Sequence, residues 1–159
     1  MKTALDRLFQ HLHWADDQLL RAAEAAGDYP PPALRLLGHI LGAERVWLLR
    51  IQGLDPGAAP VWPQLSIQEC RALSDQNRRG HQERLAATPP EGFEEVIAYR
   101  DTKGVQHRTR LGDILLHVAL HGAHHRGQIA AILRGAGMEP GGTDYIRFCR
   151  AGLLGGQPE

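Results

Sequence analysis

"LGDILLHVALHGAHHRGQIAAILR", residues 111–134, decides the fold class. With His117 taken as zero and about 100° per residue, Ile114 and Ile132 fall near 60°, Val118 near 100°, Ile129 near 120°, and Leu115 and Leu133 near 160°. Those positions form one apolar face, so the segment is an amphipathic helix that must bury that face against other helices. Asp113 suits its first turn, and "GAGMEPGG" after it ends it.

Three more helices follow from the same periodicity. Residues 2–26 carry Leu5, Leu8, Phe9, Leu12, Ala15, Leu19 and Ala23 at spacings of three and four, and Gly27 stops the run. "PPP" at 30–32 leads into a second helix with Leu36, Leu37, Ile40, Ala43, Trp47 and Ile51 in phase, closed near Gly53. "DPGAAPVWP" reads as a loop, and the capping-box spacing of Ser66 and Glu69 starts a third helix over about 67–87. Then "EEVIAYRDTKGVQHRT" places β-branched and aromatic residues around a turn-forming "DTKG", which predicts a short β-hairpin between helices three and four. The fold class is therefore all-α, four helices with a hairpin attached, in one domain spanning 1–159. The short first connection predicts that helices one and two are antiparallel neighbours.

The same wheel sorts the histidines. His121 falls near 40° and His125 near 80°, toward the apolar face, whereas His117 near 0° and His124 near −20° lie at its edge, at about 100° per residue. Neutral imidazole is a good ligand for a borderline divalent ion, and an i,i+4 pair projects from one face at close to the separation of two cis ligands. His121 and His125 form such a half-site, with His124 as a rival. A zinc-protease motif needs Glu directly after the first histidine, and Gly122 stands there. One helix face cannot complete the coordination, so a third ligand must come from another helix, and His39, beside Leu36, Ala43 and Val46, is the candidate. Three protein ligands leave coordination positions open, as in a catalytic site that activates water or a thiol. Glu44 falls on the apolar side of helix two, where it either orients a ligand histidine or forms a buried ion pair with an arginine such as Arg126. Trp47 reads as core. Gln128 is placed to hydrogen-bond near the site, and His11, His13, His81 and His107 read as solvated or hairpin-edge residues.

Charge and composition exclude other classes. The 18 basic and 18 acidic side chains cancel, leaving no basic stripe for nucleic acid. The N-terminus is broken by Asp6, Arg7 and His11 before a signal-peptide core accumulates, and no run approaches a membrane span, which points to a soluble cytoplasmic protein. Cys70 and Cys149 are far apart and outside any CxxC context, so neither a disulfide framework nor a thiolate metal site is expected.

With these residues in view, "LGHILGAERVW" at 37–47, "LHVALHGAHHRGQIAAILRGAGMEPGGTDYI" at 116–146 and "WADDQLL" at 14–20 resemble the DinB family of metal-binding four-helix bundles. The resemblance spans nearly the whole chain. It implies an up-down-down-up bundle, a homodimer, and a divalent ion (zinc, nickel or manganese) on His39, His121 and His125. It further implies a metal-dependent hydrolase or a transferase using a low-molecular-weight thiol cosubstrate, or a non-catalytic metal-binding stress-response bundle. One position departs from the pattern: Leu120 stands where many relatives carry Asn, which removes any role for that amide here.

Overall fold

The computed structural model describes residues 1–57 and 59–152; Ala58, in the expected loop, and residues 153–159, at the end of the expected domain, lie outside the described residues. Five α-helices dominate them: α1 Lys2–Ala25, α2 Pro31–Ile51, α3 Ile67–Ala87, α4 Leu111–Gly135 and α5 Tyr145–Arg150, with a 3-10 turn at Pro90–Glu94 and strands β1 Val96–Arg100 and β2 Gln106–Arg110 between α3 and α4. Local chemistry sets the boundaries. Pro31 occupies the first turn of α2, where its missing N–H leaves no bond unmade. At Ser66 the capping box is complete: its Oγ accepts from Glu69 N at 3.2 Å, and Glu69 Oε2 accepts from Ser66 N at 2.8 Å. The strands pair antiparallel from Val96 with Arg110 to Arg100 with Gln106. Their turn is held by Asp101 Oδ1, which accepts from Lys103 N and Val105 N, and by Gly104 at φ +81°. β2 runs straight into α4, whose first N–H, that of Leu111, donates to Glu95 O at 2.8 Å.

Each long helix packs on two others: α2 on α4 and α3, and α1 on α3 and α4. α1 and α2 approach each other less closely than either approaches α3 or α4, so the expectation that they are neighbours is wrong. Residues 26–30 explain this. Ala26 and Pro30 are extended, with ψ 129° and 126°, on either side of a bend at Gly27 and Asp28, and a five-residue connector, with an upper reach of about 16 Å, can cross the core rather than turn back along its edge.

The core is split in two. One cluster gathers Leu5, Phe9, Leu12, Leu48, Phe93, Leu111 and Ile114, and the other Leu19, Leu20, Leu37, Ile40, Leu41, Ile129 and Leu133. Between them each long helix contributes a buried polar residue to one layer: Asp16, Glu44, Asn77 and Arg126. Arg126 donates to Asp16 Oδ1 at 3.0 Å, and Asn77 Nδ2 donates to Leu41 O at 2.9 Å and to Glu44 Oε2 at 3.4 Å. Burial and the adjacent Asp16 carboxylate push the Glu44 carboxyl well above its ordinary range, so it donates a proton toward Asp16. Gly122 makes room for this layer: a Cβ there would meet Arg126 Nη1 at 2.9 Å.

The small α5 was not expected from the sequence. Its Phe148 is buried, and beside it His11 Nε2 donates to Thr143 O at 2.7 Å. No helix among the described residues is long and apolar enough to cross a membrane.

Candidate metal centre

α2 and α4 pack against each other with His39 facing His121 and His125. One ligand atom from each of the three lies within 4.8 Å of the others. His121 Nε2 sits 3.2 Å from His39 Nε2 and 3.2 Å from His125 Nε2. The remaining nitrogens explain what these three carry. His39 Nδ1 donates to Val61 O at 2.8 Å, and His125 Nδ1 donates to Gln128 Oε1 at 2.7 Å. Each Nδ1 therefore holds the proton, and each Nε2 presents a lone pair to His121. A single proton on His121 Nε2 satisfies only one of those lone pairs, whereas one cation satisfies all three.

The spacing fits such a cation. Metal–nitrogen bonds of about 2.0–2.1 Å put cis nitrogens about 2.9–3.4 Å apart between octahedral and tetrahedral geometry. Protonation favours the same outcome. Burial lowers the His39 pKa, and burial together with the neighbouring histidines lowers that of His121 to about 4, so both are neutral near pH 7. Together with His125 they could hold a divalent ion.

A loop completes the setting of His39. The Trp62 ring stacks on the His39 ring with centroids 3.7 Å apart and planes 7° from parallel. This approach needs Gly38 and Gly42. A Cβ on Gly42 would meet Pro63 Cδ at 2.6 Å and Pro60 O at 3.0 Å, and one on Gly38 would meet Pro63 O at 3.0 Å. The loop thus lies directly on the α2 backbone, aiming Val61 O at His39 Nδ1. Sequence reasoning missed Val61 and Trp62, although the spacing of "GHILG" at 38–42 carried the signal: two glycines on one helix face admit a close backbone.

The other candidates separate. Gln128 reaches the centre through His125, and its Nε2 donates to His124 Nε2 at 3.3 Å. His117 packs edge-on against Trp47 at 5.3 Å, next to His121 at 5.7 Å. Trp47 is half-buried against the core. Glu44 is brought together with Asp16, Asn77 and Arg126, and none of its hydrogen bonds reaches His39, His121 or His125. Arg126, the ion-pair partner considered for it, pairs with Asp16. His107 lies exposed on the hairpin, as expected, but His11, His13 and His81 are buried, which corrects the solvated reading.

A search of curated proteins returns no match. The family comparison is decisive in its extent: the model of the DinB family matches residues 1–158. With that match over essentially its whole length, and with three histidines that could hold a metal where α2 meets α4, the chain belongs to the DinB family.

Proposed function

We propose that the protein is a metal-dependent enzyme in which His39, His121 and His125 hold one divalent ion, within an up-down-down-up four-helix bundle. The observation that carries this reading is the convergence of three Nε2 atoms while Val61 and Gln128 hold the opposite nitrogens of two of the rings. Imidazole donors suit zinc and nickel, with manganese the harder alternative. A bound ion with open positions lowers the pKa of water or a thiol held there, supplying a nucleophile near neutral pH for hydrolysis or S-transfer. The chain's own residues prepare this. Val61 and Gln128 fix the ring tautomers, Trp62 covers one face of His39 from water, and the layer of Asp16, Glu44, Asn77 and Arg126 fixes how the helices stand against one another. Glu44 enters as a member of that layer.

The test is equilibrium dialysis of untagged protein against zinc, nickel and manganese, then a screen of low-molecular-weight thiols with electrophiles. About one ion per chain and turnover lost on chelation are expected. Less than about a tenth of an ion per chain defeats the metal reading, and turnover that survives chelation defeats the mechanism.

A homodimer through α4 belongs to the same proposal. Leu120 is 67% exposed, and with Leu116, Ala123, Gly127 and Ala131 it forms an outward stripe between Asp113 and Arg134. Antiparallel pairing with a second copy sets Asp113 against the second copy's Arg134, Leu116 against Ala131 and Leu120 against Gly127, so charge meets countercharge and large meets small. Light scattering should give a dimer that becomes a monomer in Leu120→Glu. A monomeric wild type rejects the stripe as an interface.

A further inference from the structure

Arg50, in the last turn of α2, is 8% exposed, yet its side chain makes no hydrogen bond or ion pair with any described residue. Its guanidinium carbon lies 4.6 Å from the centroid of Trp47 and 5.2 Å from that of Tyr99. Two cation–π contacts and the charge of Asp101, which lies beyond ion-pair distance, offset part of what it costs to bury this ion. The nearby carboxylates are engaged elsewhere. Asp101 accepts from Lys103 N and Val105 N through Oδ1 and faces His107 through Oδ2, and Asp55 Oδ1 accepts from Gly57 N. Arg100 Nη1 donates to Gly104 O.

The unpaired cation lines a cavity. A half-open cavity of about 330 Å³ lies between α2, the loop that follows it and β1, lined by Val46, Leu54, Val61 and Tyr99, by Arg50 and Arg100, and by Asp55 and Asp101. That volume is at the small end for a ligand site, and of its four charged groups only Arg50 has no hydrogen-bond or ion-pair partner among the described residues. We infer that this cavity binds a small organic acid, with its carboxylate on the Arg50 guanidinium and its short apolar body against Val46, Leu54 and Val61. A planar guanidinium fork matches one carboxylate with two parallel hydrogen bonds. Val61 also belongs to the histidine centre through its carbonyl on His39. That carbonyl meets Nδ1, which points away from the converging Nε2 atoms, and none of the three histidines lines the cavity, so the acid site stands apart from the ligand nitrogens.

The experiment titrates metal-free, full-length protein with propionate, 3-mercaptopropionate, propionamide and inorganic phosphate, followed by calorimetry. Both acids should bind saturably, Arg50→Met should weaken them about 10- to 100-fold, and Arg50→Lys should fall between. Equal binding of propionate and propionamide would overturn the anion site, and phosphate binding more tightly than propionate would overturn the carboxylate assignment. Arg50→Met removes a buried charge and should not lower the unfolding midpoint. A lower midpoint with unchanged propionate binding assigns Arg50 to packing and also overturns the site. Because these arms use no metal, they stand whether or not the histidines bind one.

Discussion

Two histidine groups lie on different seams of this molecule, and only one has the chemistry of a ligand set. Between α2 and α4, His39 and His125 each have Nδ1 tied to an oxygen and Nε2 aimed at His121. Between α1 and α3, His13 and His81 stack at 5.4 Å with planes 23° apart, and Phe9 meets the His81 ring edge-on at 4.9 Å. His13 Nε2 and both nitrogens of His81 are buried without a hydrogen-bond partner. Burial alone therefore does not make an imidazole a ligand. An acceptor on one nitrogen and a shared target for the other do, and the α1–α3 pair has neither.

The largest expected effect breaks this comparison outright. His121→Ala removes the atom that both other Nε2 groups face, so the protein should retain less than about a tenth of an ion per chain in equilibrium dialysis. His81→Phe, which keeps an aromatic ring in the α1–α3 seam, should leave metal stoichiometry as in the wild type. Equal metal loss in the two variants would show that the seams are not chemically distinct.

Acid sharpens the contrast from the other side. Burial lowers the pKa of His13 to about 2, with His81 and Arg78 adding to the shift, and lowers that of His81 to about 3. Above pH 6.5 these histidines are neutral in the folded and unfolded chain alike, and they give no pH dependence. Below it the unfolded chain takes up protons that the folded chain refuses. Stability is then lost by up to about 1.4 kcal/mol per pH unit for each histidine, until the folded pKa is reached. Urea midpoints should fall from pH 7 to pH 5, and His81→Phe should flatten that fall. A wild-type slope in the variant would mean that His81 is protonated in the folded state.

The helix boundaries were legible because periodicity, Pro31 and the Ser66 capping box are local signals. The α1–α3 seam was not, for a reason visible in α3. Its buried stripe is Cys70, Ser74, Asn77, His81 and Leu85, at regular spacings of three and four, yet only two of these are apolar. A reading based on hydrophobicity leaves His81 in water, while the spacing alone places it inside. α5 escaped because six residues are too few to show a period, and the relation of α1 to α2 depended on where the connector at 26–30 carries the chain. At the centre, the three histidines were legible from spacing on two helices, but Val61 and Trp62 come from a loop whose path is set by what α2 lacks.

That path gives the smallest and most local prediction. Gly42→Ala puts a methyl 2.6 Å from Pro63 Cδ and 3.0 Å from Pro60 O, and a proline ring cannot rotate away as a flexible side chain would. The loop must lift, which lengthens the 2.8 Å bond from His39 Nδ1 to Val61 O and frees the ring to change tautomer. Loss of a supporting hydrogen bond of this kind weakens metal affinity about 10- to 100-fold. Global stability should move less, because overpacking of about 1–3 kcal/mol is partly offset by the better helix propensity of alanine, about 1 kcal/mol. Gly38→Ala, whose Cβ meets a single atom, Pro63 O at 3.0 Å, should shift metal affinity in the same direction by less. Neither variant touches His13 or His81, so the acid sensitivity of unfolding should stay as in the wild type. Weaker metal binding with unchanged acid sensitivity would place the difference between the two seams in the loop that orients His39. Unchanged metal affinity in Gly42→Ala would mean that Val61 does not orient that ring.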